Sequence, residues 1–327
     1  MSLPPVEIPL GAMRFNSDSQ KLEYFNGDVW MQVHTFSPNL DGGARGVIAG
    51  GNPATNTIQY FTIPIAGNAI DFGDLTRSDF LGASGSSRTR GVFMGGGAPT
   101  RTVDIDFITI ASTGDATDFG DLPNALAHSA GISNQTRCIM AGGGGPSGVT
   151  NAITFVATAS TGNAVDFGDT AIAQEHQAGA SSPTRGLIAG GNPSTANAIQ
   201  FITISTTGNA QDFGDLQALG DVMMGGGLAS PIRAIFAGNY TNKIESVTIA
   251  TKGNTSSFGE MTDTRGCPFS NSDSIRGVIS GGLSPNAVNT MEYIQIMTEG
   301  NGIDFGDLTA ANQNGFDSVS TAHGGLG

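Results

Sequence analysis

The sequence predicts an all-β fold: a six-bladed β-propeller behind a small N-terminal β-hairpin or meander. Three observations predict it. A short stamp, Asp-Phe-Gly-Asp, recurs at intervals of 47, 48, 46, 45 and 47 residues. Two further motifs keep the same beat. No stretch sustains a 3.6-residue apolar period, so helix content is expected to be very low. Four short strands per repeat of 40–50 residues is the pattern of a propeller blade.

The stamp is centred on Phe72, Phe119, Phe167, Phe213, Phe258 and Phe305. Its fifth copy is degraded to Ser257-Phe258-Gly259-Glu260. A unit that tolerates loss of its first carboxylate uses that residue structurally. The expectation is that the acids form turns, the glycine takes a positive φ and the phenylalanine wedges between blades. Ca²⁺ bound by the repeated acids is the sharper alternative. It needs roughly six to eight converging oxygens, which two aspartates three apart do not supply.

The second motif is a hydrophobic run opened by an arginine and closed by glycines, as in RGVIAGG from Arg45. It returns at Arg90, Arg137, Arg185, Arg233 and Arg276. Six arginines at one blade position are expected to bond the stamp carboxylates or backbone carbonyls of a neighbouring blade. A ring that binds a carboxylate ligand is the functional alternative. The third motif is a β-rich run such as IDFITI from Ile105 or IQFITI from Ile199. Its end is apolar on both faces, as a sheet covered on both sides requires.

Each unit therefore has four strands. The first is built of small residues, as in GASGSS from Gly82, and suits a crowded axis. The hydrophobic run, the Ile-x-aromatic run and the run into the stamp follow. The set at 45–75 lacks a small-residue strand before it, and the segment from Ala311 has no set after it. The C-terminal strand is thus expected to complete the first blade and remove an open edge. The propeller spans 41–327 and the N-terminal module 1–40. The motif order resembles the kelch propeller repeat, with phenylalanine in place of the kelch tryptophan.

The chain has 327 residues and a net charge of −14, with 14 Lys and Arg against 28 Asp and Glu. Such a surface repels phosphate and opposes nucleic acid or anionic membrane as partners. No apolar run of 18 residues and no signal-peptide core is present, so neither membrane insertion nor standard secretion is expected. Cys138 and Cys267 form no disulfide framework, and Cys138 replaces the glycine of a strand motif, which points to a buried thiol.

His128 and His176 each lie seven residues after the last acid of a stamp. They occupy equivalent places on adjacent blades, as candidates for a channel mouth. Leu81, Val222, Cys267 and Asn314 share the column. A metal there would need three or four ligands. No catalytic pair stands outside the repeats, and the loops are short and alike, so the chain is read as no enzyme and as needing no cofactor.

The N-terminal stretch 11–33 carries Asn26-Gly27 between β-rich runs, a type I′ hairpin signal, and Ser17-Asp18-Ser19 marks an earlier turn. Three short strands follow, marginal in isolation. The spacing of Gly11, Arg14, Phe15, Asn16, Lys21, Leu22, Glu23, Tyr24, Gly27 and Trp30 resembles a small module of tailed-bacteriophage virion proteins, especially tail and fibre proteins of marine phages and cyanophages. That resemblance implies a virion structural protein, made in the host cytoplasm and acting in assembly or host adhesion as tail fibre, adaptor or surface component. It implies docking to other virion proteins through Arg14, Phe15, Leu22, Tyr24 and Trp30, and a homo-oligomer, for which a trimer, common among fibres, is one option. A lectin-like propeller binding host-surface glycan and a polysaccharide-degrading enzyme are the alternatives.

Overall fold

A computed structural model describes residues 8–16, 21–32, 44–97, 100–193, 197–218, 226–312 and 318–326, with the backbone alone at Lys21. The chain divides into two compact units, Met1–Leu40 and Asp41–Gly327. The fold is all-β, and the one helical element among the described residues is a 3₁₀ turn at Gly324–Leu326.

The first unit is a three-stranded antiparallel sheet of Met13–Asn16, Lys21–Phe25 and Trp30–Gln32. The second connection is longer than Asn-Gly predicts. Phe25 pairs with Trp30, so the turn holds four residues, and the Asn26 carboxamide accepts from the N–H groups of Asp28 and Val29. An Asx turn has replaced the two-residue hairpin. Ser17-Asp18-Ser19 lies outside the described residues.

The second unit is a series of antiparallel sheets. Five have four strands, one takes a fifth short strand, Leu283–Ser284, and Gly144–Gly145 pairs with Gly148–Val149 in a separate two-stranded ribbon. The first sheet joins Ser318–Ser320 to Arg45–Ala49, Thr55–Thr62 and Ile70–Asp79. The C-terminal strand and the first hydrophobic run are thus neighbours. The second to sixth sheets open at Ala83, Ala130, Ala178, Gly226 and Phe269, and each uses four consecutive main strands.

Each pair of successive sheets shares one apolar cluster. Phe72 of the first sheet packs with Phe93, Ile108 and Ile110 of the second. Phe119 meets Cys138, Met140 and Val156 of the third, and Phe167 meets Ile188, Ile202 and Ile204 of the fourth. Phe213 and Phe258 repeat the arrangement. The sixth cluster returns to the start, where Phe305 packs with Ile48, Phe61 and Ile63 of the first sheet. Within five of the sheets the stamp phenylalanine also meets the third-strand aromatic edge-on, at 5.7–6.2 Å.

The stamp is not a turn. It lies inside the fourth strand, where the pairing register slips by one residue at Phe-Gly, and its first acid faces solvent. The expectation that the stamp acids form a turn is therefore corrected. The turn residues belong to the following sheet, whose Gly-Asn loop docks on the bulge. Gly208 N–H donates to the Phe167 carbonyl at 2.7 Å, and Asp169 N–H donates to Asn209 Oδ1 at 3.1 Å. The same bonds recur at every seam, the last from Gly67 N–H to the Phe305 carbonyl at 2.7 Å. Gly168 has φ +148°, and a Cβ there would stand 2.5 Å from the Gly208 carbonyl oxygen. Only glycine fits this close approach.

Candidate functional site

The six repeated arginines are consumed in the seams. Each guanidinium donates to a carbonyl of the next sheet: Arg45 to Ile110, Arg90 to Thr158, Arg137 to Ile204, Arg185 to Ile249 and Arg233 to Ile296, at 2.7–3.2 Å. Arg276 of the sixth sheet donates to Ile63 of the first at 3.1 Å. Five of them stack on the third-strand aromatic of their own sheet at 4.2–4.8 Å. In the fifth sheet Ser246 holds the aromatic's place, and Arg233 sits 6.0 Å from Phe258 instead. Carbonyls, not the stamp carboxylates, are the partners.

The first strands of the six sheets meet around a small polar cavity. Ser84, Gly131, Gly179, Gly227, Ser270 and Ser318, one from each sheet, line a space of about 50 Å³. Two residues further along, the lining continues with serines that bond across sheets. Ser86 Oγ donates to the Ser320 carbonyl at 2.7 Å, and Ser320 Oγ donates to the Ser272 carbonyl at 2.6 Å. Beyond them lie His323 and the 3₁₀ turn. His323 Nε2 is 3.1 Å from both Ser133 Oγ and the Ser86 carbonyl, and burial pushes its pKa down to about 4.

The histidine column lies three residues before the cavity-lining positions. Leu81, His128, His176 and Cys267 all adopt positive φ, between 48° and 66°. The backbone links them in sequence: His128 N–H donates to the Leu81 carbonyl and His176 N–H to the His128 carbonyl, both at 2.6 Å. Val222 and Asn314 lie outside the described residues. Cys138 and Cys267 are buried free thiols, and burial pushes the Cys267 pKa up to about 12.

Here the repeat departs from itself. His128 Nδ1 lies 2.7 Å from His176 Nε2. Glu175 places one carboxylate oxygen 4.0 Å from His128 Nδ1 and the other 4.0 Å from His176 Nε2. Arg101, from a loop of the second sheet, reaches within 3.5 Å of Glu175 Oε2 and donates to the Gly145 carbonyl at 2.6 Å. Burial, then the neighbouring His176 and Arg101, lower the His128 pKa to about 3; burial and Arg101 lower that of His176 to about 4. Both imidazoles are neutral at pH 7. Sequence reading found the histidines but missed Glu175 and Arg101. Glu175 carried a signal, since the matching residue before His128 is Ala127. Arg101, in a loop of no fixed register, carried none.

In the N-terminal sheet the five docking residues divide between two faces. Phe15, Leu22 and Tyr24 share one face with Met13 and Met31, as the pairing of Met13 and Met31 with Tyr24 requires, and all five are exposed. Arg14 and Trp30 share the other. There the guanidinium stacks 4.1 Å over the indole and pairs with buried Glu23 at 2.8 Å.

The chain matches no protein-family model, and no curated protein matches it.

Proposed function

We propose that residues 41–327 are a six-bladed kelch-like β-propeller and that the chain is a non-enzymatic structural protein of a bacteriophage virion. The propeller is the rigid part, and the N-terminal sheet docks it to other virion proteins. One observation carries the structural reading. The repeated polar groups, six arginines, five Gly-Asn loops and the Gly114-Asp115 loop, are used on backbone partners of the neighbouring sheet, in an order that returns from the sixth sheet to the first. A scaffold that commits its repeated charges to its own seams is built to hold shape.

The exposed apolar face of the N-terminal sheet supports the docking role. Five apolar side chains on three short strands are more than so small a sheet keeps in water without a partner. The virion assignment itself rests on the resemblance of residues 11–30 to the phage module. Mass spectrometry of purified particles tests it. The protein is expected among the structural components in stoichiometric amount. Its absence from particles, with presence in the infected-cell lysate, overturns the assignment.

A further inference from the structure

We infer that His128, Glu175 and His176 form a binding site for a divalent transition metal, with Zn²⁺ the best match, clamping the third and fourth sheets together. The inference goes beyond the scaffold role and stands or falls separately from it.

Three observations carry it. The three side chains offer two imidazole nitrogens and a carboxylate oxygen that all lie within 4.8 Å of one another. That is the ligand set of zinc sites with three protein ligands and an open fourth position. Second, Glu175 Oε2 is buried and accepts no hydrogen bond, although its residue faces two imidazoles. A carboxylate oxygen kept from water without a donor is expensive unless a cation or ion pair serves it. Arg101 at 3.5 Å serves it only in part. Third, Gly144 keeps the space beside the carboxylate clear, because a Cβ there would fall on Glu175 Oε2.

The unloaded geometry also says what binding must change. His128 Nδ1 stands 2.7 Å from His176 Nε2 and 3.1 Å from its Nδ1, too close for two ligands of one ion. Two Zn–N bonds of about 2.05 Å at a tetrahedral angle set the nitrogens roughly 3.3 Å apart. Binding therefore parts the two nitrogens by about half an ångström. His128 supplies one ligand from the third sheet, and Glu175 and His176 supply two from the fourth. The remaining position is left to water. Arg101 is the counterforce, since its charge beside Glu175 weakens the site for any cation.

Titration calorimetry of the full chain with ZnCl₂ is the test, with two variants that borrow from the repeat. His128→Leu copies Leu81 and Glu175→Ala copies Ala127, so each puts in place a side chain that the same backbone position already holds in another sheet. The wild type is expected to bind one Zn²⁺ per chain, each variant to lose at least tenfold in affinity, and Arg101→Gln to gain severalfold. Equal affinity in the wild type and His128→Leu, or no binding by the wild type, overturns the site. Co²⁺ gives a reading that needs no variant. The wild type is expected to develop the intense visible absorption of tetrahedral cobalt, and an unchanged pale spectrum of the aqua ion counts against the proposal.

Discussion

The seams between the sheets and the rim that carries His128 are made from the same repeat, yet they vary in opposite ways. At the seams nearly every copy keeps its arginine, its buried phenylalanine, its bulged glycine and its docked Gly-Asn loop. At the rim, one backbone position of common conformation holds Leu81, His128, His176 and Cys267 in turn. The backbone demand is constant there and the side chain is free. Repetition thus marks what every sheet needs in order to pack, and departure from it marks where one pair of sheets does something the others do not. His128 with Glu175 and His176 is the largest such departure among the described residues.

The largest expected effect lies at a seam. Phe167 is fully buried between the third and fourth sheets, and Phe167→Ala is expected to cost about 3–5 kcal/mol. His176→Leu at the rim, which copies Leu81, is expected to cost less than half of that. Chemical denaturation of the two variants checks the contrast. Equal losses would mean that the rim is as structural as the seam.

The next effect is a pH dependence with two opposed parts. His323 is buried with its pKa lowered to about 4, against about 6.5 when unfolded. Below pH 6.5 the unfolded chain takes up a proton that the folded chain refuses. Its contribution is therefore complete above pH 6.5 and is lost as the pH falls toward 4, roughly 3 kcal/mol in all. Asp79 runs the other way. Burial, set against Arg77 and the N–H groups of Phe80 and Gly97, raises its pKa to about 6 from 3.8. Its contribution is greatest below about pH 4 and is lost as the pH rises through 6. Urea melts from pH 4 to 7 check both. His323→Gln is expected to flatten the loss on the acid side. Asp79→Asn, which copies Asn312 of the sixth sheet, is expected to steepen it.

Much of the fold was legible because the repeat is strict. The period of the phenylalanines gave the number of sheets, and the small residues of Gly82–Ser87 marked the strand that lines the cavity. Two features were not. The stamp reads as a turn because Asp and Gly dominate it, but its turn is made by the next sheet's loop, 40 residues on. The second was the polar residue inside Ile-x-aromatic. Gln59, Asp106, Thr154, Gln200, Glu245 and Glu292 alternate with apolar neighbours and so read as solvent-facing, yet all six are buried. Five of them accept a backbone N–H from the preceding sheet: Thr309, Thr76, Ala171, Gln217 and Thr262. Tertiary covering, which no local pattern reports, decided both.

That buried polar position gives the third test. Gln200 Oε1 accepts from Ala171 N–H at 2.7 Å. Gln200→Leu leaves the amide without its partner and is expected to cost about 1–3 kcal/mol. Hydrogen exchange at Ala171 should speed up with it. No change in either would remove the bond from the account of the seam.

The smallest effect comes from the one seam that lacks this bond. Between the second and third sheets the donor position is Pro123, which has no N–H, and the acceptor position is Thr154, whose Oγ1 is buried without a partner. The proline offers no N–H, and the shorter threonine stands where the other seams hold a carboxamide or a carboxylate. Pro123→Ala alone adds an N–H that meets no carboxamide, and Thr154→Gln alone adds a carboxamide that meets no N–H. Each is expected to be neutral or mildly destabilising. The double variant restores the pair found at the next seam between Ala171 and Gln200, and is expected to exceed the sum of the singles by about 1 kcal/mol. A double-mutant cycle by thermal and urea unfolding reads that coupling directly. Strict additivity would mean that the glutamine at the other seams fills space and that its hydrogen bond adds nothing.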